Sequence, residues 1–271
     1  MKVAVLGPKG TFSDIGAQEY LKSKKIDGDI IFFSTIDESV KALSDSSFDI
    51  ALIPLENSLD GYVQRSLDIL LEEEVYITEE IKLPIHFKLV SNCKFEEINK
   101  VYVQFKSQGQ CINIINKINN PKVINTESNT SSYEMFLKDN EKACAIVPFH
   151  LETNDALNKI DNVEDMYENF TRFIILKKGK RIVSKVKGNE LMCPMFICPS
   201  SDRSGILFEI LKTFAELDLN LTSIISRPTK KKFGTYNFYL EVKTSSLNYD
   251  TMLEAIIKLK KNYDIKVLGI Y

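Results

Sequence analysis

Only two histidines, His86 and His150, are available for imidazole chemistry in a chain of 271 residues. With no clustered partners they make no zinc constellation, and no clustered carboxylate motif for another metal is present either. The five cysteines (Cys93, Cys111, Cys144, Cys193, Cys198) are odd in number, contain no Cys-x-x-Cys and fall in apolar segments. They read as buried free thiols in a reducing compartment and exclude a disulfide framework. No stretch approaches eighteen consecutive apolar residues, and the opening "MKVAVLGPKG" has neither a signal-peptide core nor a small-residue cleavage pattern. No membrane segment and a cytoplasmic location are therefore expected. Net charge is also scarce: the formal value is −2, with 27% charged residues, so nothing draws the chain generally toward nucleic acid or an anionic membrane. Any anion binding must be local.

What is present is an alternation of apolar runs and helical periodicities, the mark of strand–helix–strand units around a mostly parallel sheet. The length is ample for two domains. "KVAVLG" reads as a strand that leads through "PKGT" into a helix starting near Ser13, a plausible cap. "IIFF" is a second strand, followed by Thr35 and Glu38 at capping-box spacing. "DIALIPL" is a third strand, and after "ENSLDG" a helix carries Val63, Leu67, Leu70 and Leu71 on one stripe. From Ile81 to Leu89 every second residue is apolar, which predicts a half-buried strand crossing into a second lobe. There the pattern restarts: "KVYVQF", a helix with Cys111, Ile114, Ile115 and Ile118, "KVIN", a helix after "SNTSS", and "ACAIV". Two such lobes leave a cleft between them, where small ligands usually sit.

Lys177 to Gly188 has six Lys or Arg and no acid, and reads as a linker with a solvated edge. Without interleaved aromatics it does not make a nucleic-acid patch. Beyond it, "LMCPMFICP", a helix with Ile206, Leu207, Ile210, Leu211 and Phe214, "LNLTSIIS", "YNFYLEV", a helix over "YDTMLEAIIKLKK", and "IKVLGIY" follow the ferredoxin-like order βαββαβ. Its unpaired sheet edges favour edge-to-edge dimers.

The stretch "ENFTRFIIL" poses the functional question, because Asn169, Thr171 and Arg172 stand at the mouth of a buried strand that has no structural use for them. Other polar groups also gather at strand ends: Thr11 and Ser13 behind Gly7 and Gly10, Glu56, Asn57 and Ser58, then Gln110, Asn129 and Thr130. Loops leaving the carboxyl ends of strands meet at the ligand crevice of open α/β sheets, and helix N-termini there offer N–H groups to anions. The pattern suits a small carboxylate. Singly, each element has a structural reading: "GPKGT" lacks the ending of a phosphate-binding loop, Ser13 caps a helix, "ENS" is a turn, Thr171 and Arg172 end a strand, and His86 is a hydrogen-bonded structural histidine.

Together, "GPKGTFS", "IPLENSLDGYVQRSLDIL", "EEIKLPIHFKL" and "NVEDMYENFTRF" resemble the prephenate dehydratase family in order and spacing, and the tail with "SGILFEIL" and "ISRP" is similar to its regulatory ACT domain. The resemblance spans essentially the whole chain. It implies a two-lobed, periplasmic-binding-protein-like α/β catalytic domain with an interlobe cleft over residues 1–178. Lobe one would take about 1–80 plus a returning strand near 170–177, and lobe two about 81–165. A linker (179–189) and a C-terminal ferredoxin-like ACT domain (190–271) complete the chain.

The implied activity is that of a carbon–oxygen lyase converting prephenate to phenylpyruvate in phenylalanine biosynthesis, without a cofactor or metal. Thr171 is implied as the essential catalytic residue, with Arg172 binding the side-chain carboxylate and Glu56 as a competing proton donor. Thr11, Ser13, Asn57, Ser58, Gln110, Thr130, Asn169 and Phe173 would line the substrate site. Feedback by phenylalanine would act at Gly205, Ile206, Leu207, Asn220, Leu221, Ser226, Arg227 and Pro228, in a homodimer or homotetramer joined through ACT and catalytic domains. Departures fall at two places. The family's Ser-His-Pro before its Gln-Cys pair is replaced in "VQFKSQGQC", and Pro-Gly-Ala-Leu and Glu-Ser-Arg-Pro become "SGIL" and "ISRP". Arogenate dehydration and non-catalytic sensing of an aromatic amino acid are the alternatives.

Overall fold

The computed structural model describes residues 1–154, 157–180, 190–201, 203–230 and 234–271. Residues 181–189, most of the expected linker, lie outside them. The first third of the chain supplies β1 (Lys2–Leu6), α1 (Phe12–Lys24), β2 (Asp29–Phe33), α2 (Ile36–Lys41), β3 (Ile50–Asn57), β4 (Gly61–Tyr62), α3 (Gln64–Glu72) and β5 (Val75–Pro84). A second sheet is built from β6 (Phe87–Ser91), β7 (Lys100–Gln104), β8 (Lys122–Thr126), β9 (Ala143–Pro148) and β10 (Asn158–Asp161), with helices α4 (Phe105–Gln110), α5 (Ile112–Asn116) and α6 (Asn129–Leu137). The chain then returns as β11 (Phe170–Lys178). It enters the first sheet between β3 and β5, antiparallel to both, giving the order β2-β1-β3-β11-β5 with β4 on β3; the second sheet runs β10-β6-β9-β7-β8.

The apolar runs of β1, β3 and β11 are continuous because both faces of this sheet are covered. Val3, Val5, Leu52, Phe173 and Ile175 pack with Ala17, Tyr20 and Leu21 of α1. Their neighbours Ala4, Ile53, Leu55 and Ile174 pack with Leu67, Ile69 and Leu70 of α3 on the other side. The capping pair read from the sequence is formed: Thr35 Oγ1 accepts the Glu38 N–H at 3.1 Å, and the Glu38 carboxylate accepts the Ser34 N–H at 3.0 Å. Position N-cap of α1, however, belongs to Thr11, and Ser13 lies inside the first turn.

Two expected elements are broken. The alternating run 81–89 is divided between β5 and β6, because at the crossing the Ile85 N–H turns to the carbonyl of Asn169 at 2.8 Å. That bond ties the outgoing chain to the returning one. His86 sits in this break with Nδ1 2.7 Å from Glu164, a structural tether as expected. The single helix expected around 111–118 is two, interrupted at Cys111, where φ is −132°. The Asp165 carboxylate makes the second start possible by accepting the N–H groups of Ile112 and Asn113, each at 2.9 Å.

The remaining unit consists of β12 (Leu191–Cys198), α7 (Ile206–Glu216), β13 (Asn220–Pro228), β14 (Tyr236–Thr244), α8 (Tyr249–Lys260) and β15 (Asp264–Val267), in the order β13-β14-β12-β15. Period-two alternation gives this sheet two buried faces. Cys193, Met195, Ile197, Leu240 and Val242 meet Ile210, Phe214, Met252 and Ile256 of the two helices. Phe196 and Tyr239 point the opposite way and join the core of Ile53, Leu67 and Ile174. The unit therefore docks on lobe one through the sheet face its own helices leave open. Among the described residues no helix is long and apolar enough to cross a membrane.

The final strand ends at Val267, short of the run "IKVLGIY": the Leu268 N–H still donates to Pro194 of β12 at 2.9 Å, but its carbonyl turns to β5 and accepts the Ile77 N–H at 2.6 Å. Gly269 follows with its backbone so near β5 that an added Cβ would lie 2.3 Å from the Ile77 carbonyl oxygen. Backbone cannot retreat as a side chain can. Gly269→Ala should cost about 1–3 kcal/mol by overpacking, visible as a lowered urea midpoint; an unchanged midpoint would mean that the segment is free to lift away from β5.

Candidate functional site

Between the lobes lies a cavity of about 390 Å³. Lobe one contributes the start of α1 (Thr11, Phe12, Ser13), Asn57 at the end of β3 with Asp60 beyond it, and Thr171 and Phe173 of β11; lobe two contributes Gln104, Lys106, Ser107, Gln110 and Ser128. Phe12, Ile85, Phe87 and Phe173 make much of the wall apolar.

At the mouth of β11 a hydrogen-bond chain has a defined direction. Asn57 Oδ1 accepts the backbone N–H groups of Leu59 and Asp60, both at 3.0 Å. Those groups can only donate, so the amide oxygen must face them and Nδ2 must face the strand. Nδ2 is 3.1 Å from Thr171 Oγ1, 3.1 Å from Asn169 Oδ1 and 3.2 Å from the Phe170 carbonyl. Thr171 thus accepts from Asn57, which leaves its own proton to be donated elsewhere, and its side chain borders the cavity. Further along, Asn169 Nδ2 donates to Gln110 Oε1 at 2.9 Å, and Gln110 Nε2 donates to the Asp60 carboxylate at 3.2 Å. With a backbone donor at one end and a carboxylate at the other, no amide in the chain is free to flip. The chain also spans the lobes, since Gln110 comes from lobe two.

Anion recognition is available from helix starts. The Thr11 hydroxyl donates to the Pro8 carbonyl at 2.9 Å instead of capping α1, so the first-turn N–H groups of a 13-residue helix meet the cavity with their partial positive charge uncapped. At α6, Ser128 accepts the Ser131 N–H at 3.0 Å, while Asn129 accepts from the Ser107 hydroxyl at 2.8 Å. Lys106 is the basic side chain on the wall; Asp60 and Glu127 are the acidic ones.

Several expected site residues are elsewhere. Adjacent residues of a strand face opposite ways, and Thr171 pairs with Asn57 while Arg172 pairs with Glu56. Arg172 and Glu56 therefore lie on the reverse of the sheet, away from the cleft, contrary to their expected roles as carboxylate binder and proton donor. The Arg172 guanidinium, 7% exposed, is held by Glu56 and Glu80 at 2.8 Å each and by both oxygens of Glu241 at 3.0 Å. Burial opposes its charge, but Glu241 and Glu80 more than offset that and keep it protonated. A separate cavity of about 450 Å³ opens there, between lobe one and the βαββαβ unit.

Ser58 is likewise a fastener. Its hydroxyl accepts the Phe170 N–H at 3.0 Å, and its N–H donates to the Phe170 carbonyl at 2.9 Å, so it secures the strand entrance without lining the cavity. Thr130 stands behind Gly10, its hydroxyl buried without a partner and off the cavity wall. Asn169, 2% exposed, acts through Asn57 and Gln110. Thr11, Ser13, Asn57, Gln110, Thr171 and Phe173 do converge on the cavity. Lys106, Ser107, Ser128 and Asp60 were missed. Asp60 sits inside the quoted "ENSLDG" and could have been flagged as an acid at the same strand end; the others needed the packing of lobe two.

In the tail, Gly205, Ile206 and Leu207 border a third cavity of about 220 Å³ with Arg203, Tyr236 and Phe238. Gly205 holds φ at +85° before α7, a value glycine adopts freely. Pro228 pairs with Tyr236 at this end of β14, whereas Asn220 and Leu221 pair with Lys243 and Val242 at the other. Arg227 is bound to Asp68 of α3 at 2.7 Å. One chain does not gather the expected regulatory set in one place.

Comparison with known proteins agrees with this architecture. The prephenate dehydratase family model matches residues 3–181, and the ACT domain model matches residues 198–260. The bifunctional chorismate mutase/prephenate dehydratase of Aquifex aeolicus is 32% identical over 275 residues, covering 100% of this chain and 73% of that protein. The prephenate dehydratase of Methanocaldococcus jannaschii is 31% identical over 271 residues, covering 97% and 95%. The crystal structure of prephenate dehydratase from Arthrobacter aurescens, in complex with L-Phe, superposes with a TM-score of 0.86 at 24% identity, covering 100% of this chain and 90% of the other.

Proposed function

This chain belongs to the prephenate dehydratase family, and from that we propose that it is a carbon–oxygen lyase converting prephenate to phenylpyruvate, water and carbon dioxide. The observation that carries the reading is the Thr171 hydroxyl, turned into a donor by Asn57 at the wall of the interlobe cleft.

Prephenate is a dianion with a ring hydroxyl. As the bond from the ring to its carboxylate breaks, the electron pair moves into the ring and the ring C–O bond breaks at the opposite carbon. Aromatisation drives both, and the departing oxygen takes a proton to leave as water. Negative charge develops on that oxygen, so a fixed donor there lowers the barrier. Threonine is a poor acid, and its part is a preorganised hydrogen bond or the last link of a proton relay. The side-chain carboxylate fits the uncapped first turn of α1 with the Ser13 hydroxyl, and Lys106 adds the one basic charge on the wall. Phe12, Phe87 and Phe173 suit the ring. Arogenate would bring an ammonium toward Asp60 or Glu127, so both compounds belong in the assay.

Phenylalanine, with which the Arthrobacter aurescens protein forms a complex, is the proposed effector. The cavity beside Gly205, Ile206 and Leu207 is the site, and the edge strand β13 explains how the distant residues join it. Antiparallel pairing of β13 with the same strand of a second copy sets the start of one against the end of the other, so Asn220 and Leu221 of one chain approach Ser226, Arg227 and Pro228 of its partner.

Thr171→Ala should lower kcat about 10²- to 10³-fold with less change in KM; near-wild-type turnover of prephenate would remove Thr171 from the mechanism. Asn57→Asp keeps the shape but makes the facing atom an acceptor, so the threonine proton turns away from substrate. A kcat loss of about 10²-fold with KM little changed is expected, and unimpaired turnover would mean that the hydroxyl's direction is irrelevant. Calorimetric titration should detect phenylalanine binding. Gly205→Val, which strains the φ of +85°, should weaken it while sparing turnover in the absence of phenylalanine; no heat and no inhibition with the wild-type protein would reduce the ACT domain to a structural module.

A further inference from the structure

The reverse face of the β11 mouth holds a charge cluster that the dehydration does not touch. Arg172, the immediate neighbour of Thr171, is clamped by the carboxylate of Glu241, which comes from β14 of the ACT domain and is 1% exposed. The contact is bidentate, Nη1 to Oε2 and Nη2 to Oε1, the geometry that fixes a guanidinium in orientation as well as distance. Glu241 is itself held by hydroxyls from both sides: Tyr239 donates at 2.6 Å and Tyr62 of β4 at 3.1 Å. We propose that Glu241 is a positioning residue for the reaction: by fixing Arg172 from behind, it sets where the Thr171 hydroxyl stands in the cleft.

The coupling path is one peptide unit long. Thr171 and Arg172 share it, and their cross-strand partners Asn57 and Glu56 share the matching unit of β3. A displacement of Arg172 therefore moves the Thr171–Asn57 pair as a block. This part of the ladder is also where β3 and β11 slip out of register, between Arg172 and Phe173, with Leu55 as the extra residue. A bulge redirects side chains and weakens the ladder on the β3 side, whereas on the β5 side Thr171 and Arg172 stay in register with Leu83 and Lys82, so an outside clamp acts here on the Asn57 side of the strand. The docking of the ACT domain does not depend on this clamp alone. Asp68 binds Arg227 and Lys230, and the Lys266 ammonium reaches the carbonyls of Leu71 and Glu73. Phe196 and Tyr239 are buried in the shared core. Glu241 is thus separable from adhesion between the domains.

The inference rests on the proposed dehydration and on Thr171 as its donor, and a double-mutant cycle on the full chain distinguishes the two. Turnover of prephenate is measured for wild type, E241Q, T171A and E241Q/T171A. Glu241→Gln should lower kcat about tenfold or more with KM changed less than about threefold, yet alter the residual rate of T171A by less than about twofold, because the group it positions has gone. Asp68→Asn, which weakens a different contact between the domains, should leave kcat at the wild-type value. Should E241Q fail to fold, Tyr239→Phe, which removes one hydrogen bond to Glu241 and little volume, is read by the same criterion with an expected kcat loss of about threefold. An equal fold-loss in wild-type and T171A backgrounds, an unchanged kcat, or an equal loss in D68N would overturn the role of Glu241. Absence of prephenate turnover in the wild type, or a fully active T171A, would instead overturn the functional reading beneath it.

Discussion

The insertion of β11 between β3 and β5 is the constraint on which the molecule turns. It brings the chain back from lobe two into the middle of lobe one, and its register sets Thr171 opposite Asn57 and Arg172 opposite Glu56. A strand buried on both faces has nowhere to put two adjacent polar residues unless each face supplies partners. One face supplies the interlobe cleft and a chain of amides, and the other supplies three carboxylates, one of them from the ACT domain. The same two-residue step therefore borders the cleft on one side and the contact between domains on the other.

The cleft achieves its directionality with uncharged groups. Asn57, Asn169 and Gln110 each spend one end of an amide on orienting the next, and the polarity of the series descends from two backbone N–H groups that cannot reverse. Such preorganisation costs nothing at the moment of reaction. Charge is used sparingly on this side, where a helix start and one lysine border the cavity. The charge-rich side lies between domains, where Arg172 and Glu241 are buried and act over short distances while Glu56 and Glu80 border a second cavity.

Much of the architecture was legible from periodicity alone. The apolar runs of β1, β3 and β11, the stripe of α3, the Thr35–Glu38 cap and the βαββαβ order all follow from local pattern, because each element answers to burial on one or two faces. The misreadings have local causes too. Alternation over 81–89 continued in the sequence but not in the strand, because a tertiary bond between Ile85 and Asn169 interrupts it. Cys111 matched a helical stripe, yet Asp165, distant in sequence, restarts the helix after it. Arg172 was assigned to the cleft because its neighbour is there; the strand period, already in hand, put it on the other face.

By itself the sequence determined most of the apolar core, the type of most segments, and that polar groups would collect at the strand ends, since these depend on side-chain chemistry and spacing along a few residues. Tertiary structure alone decided that Lys106, Ser128 and Asp60 join the cleft, that Glu241 reaches Arg172 across 69 positions of chain, and that the Thr171 hydroxyl accepts from Asn57. Those outcomes depend on which distant surfaces meet and on the direction of hydrogen bonds between them, and no local pattern carries that information.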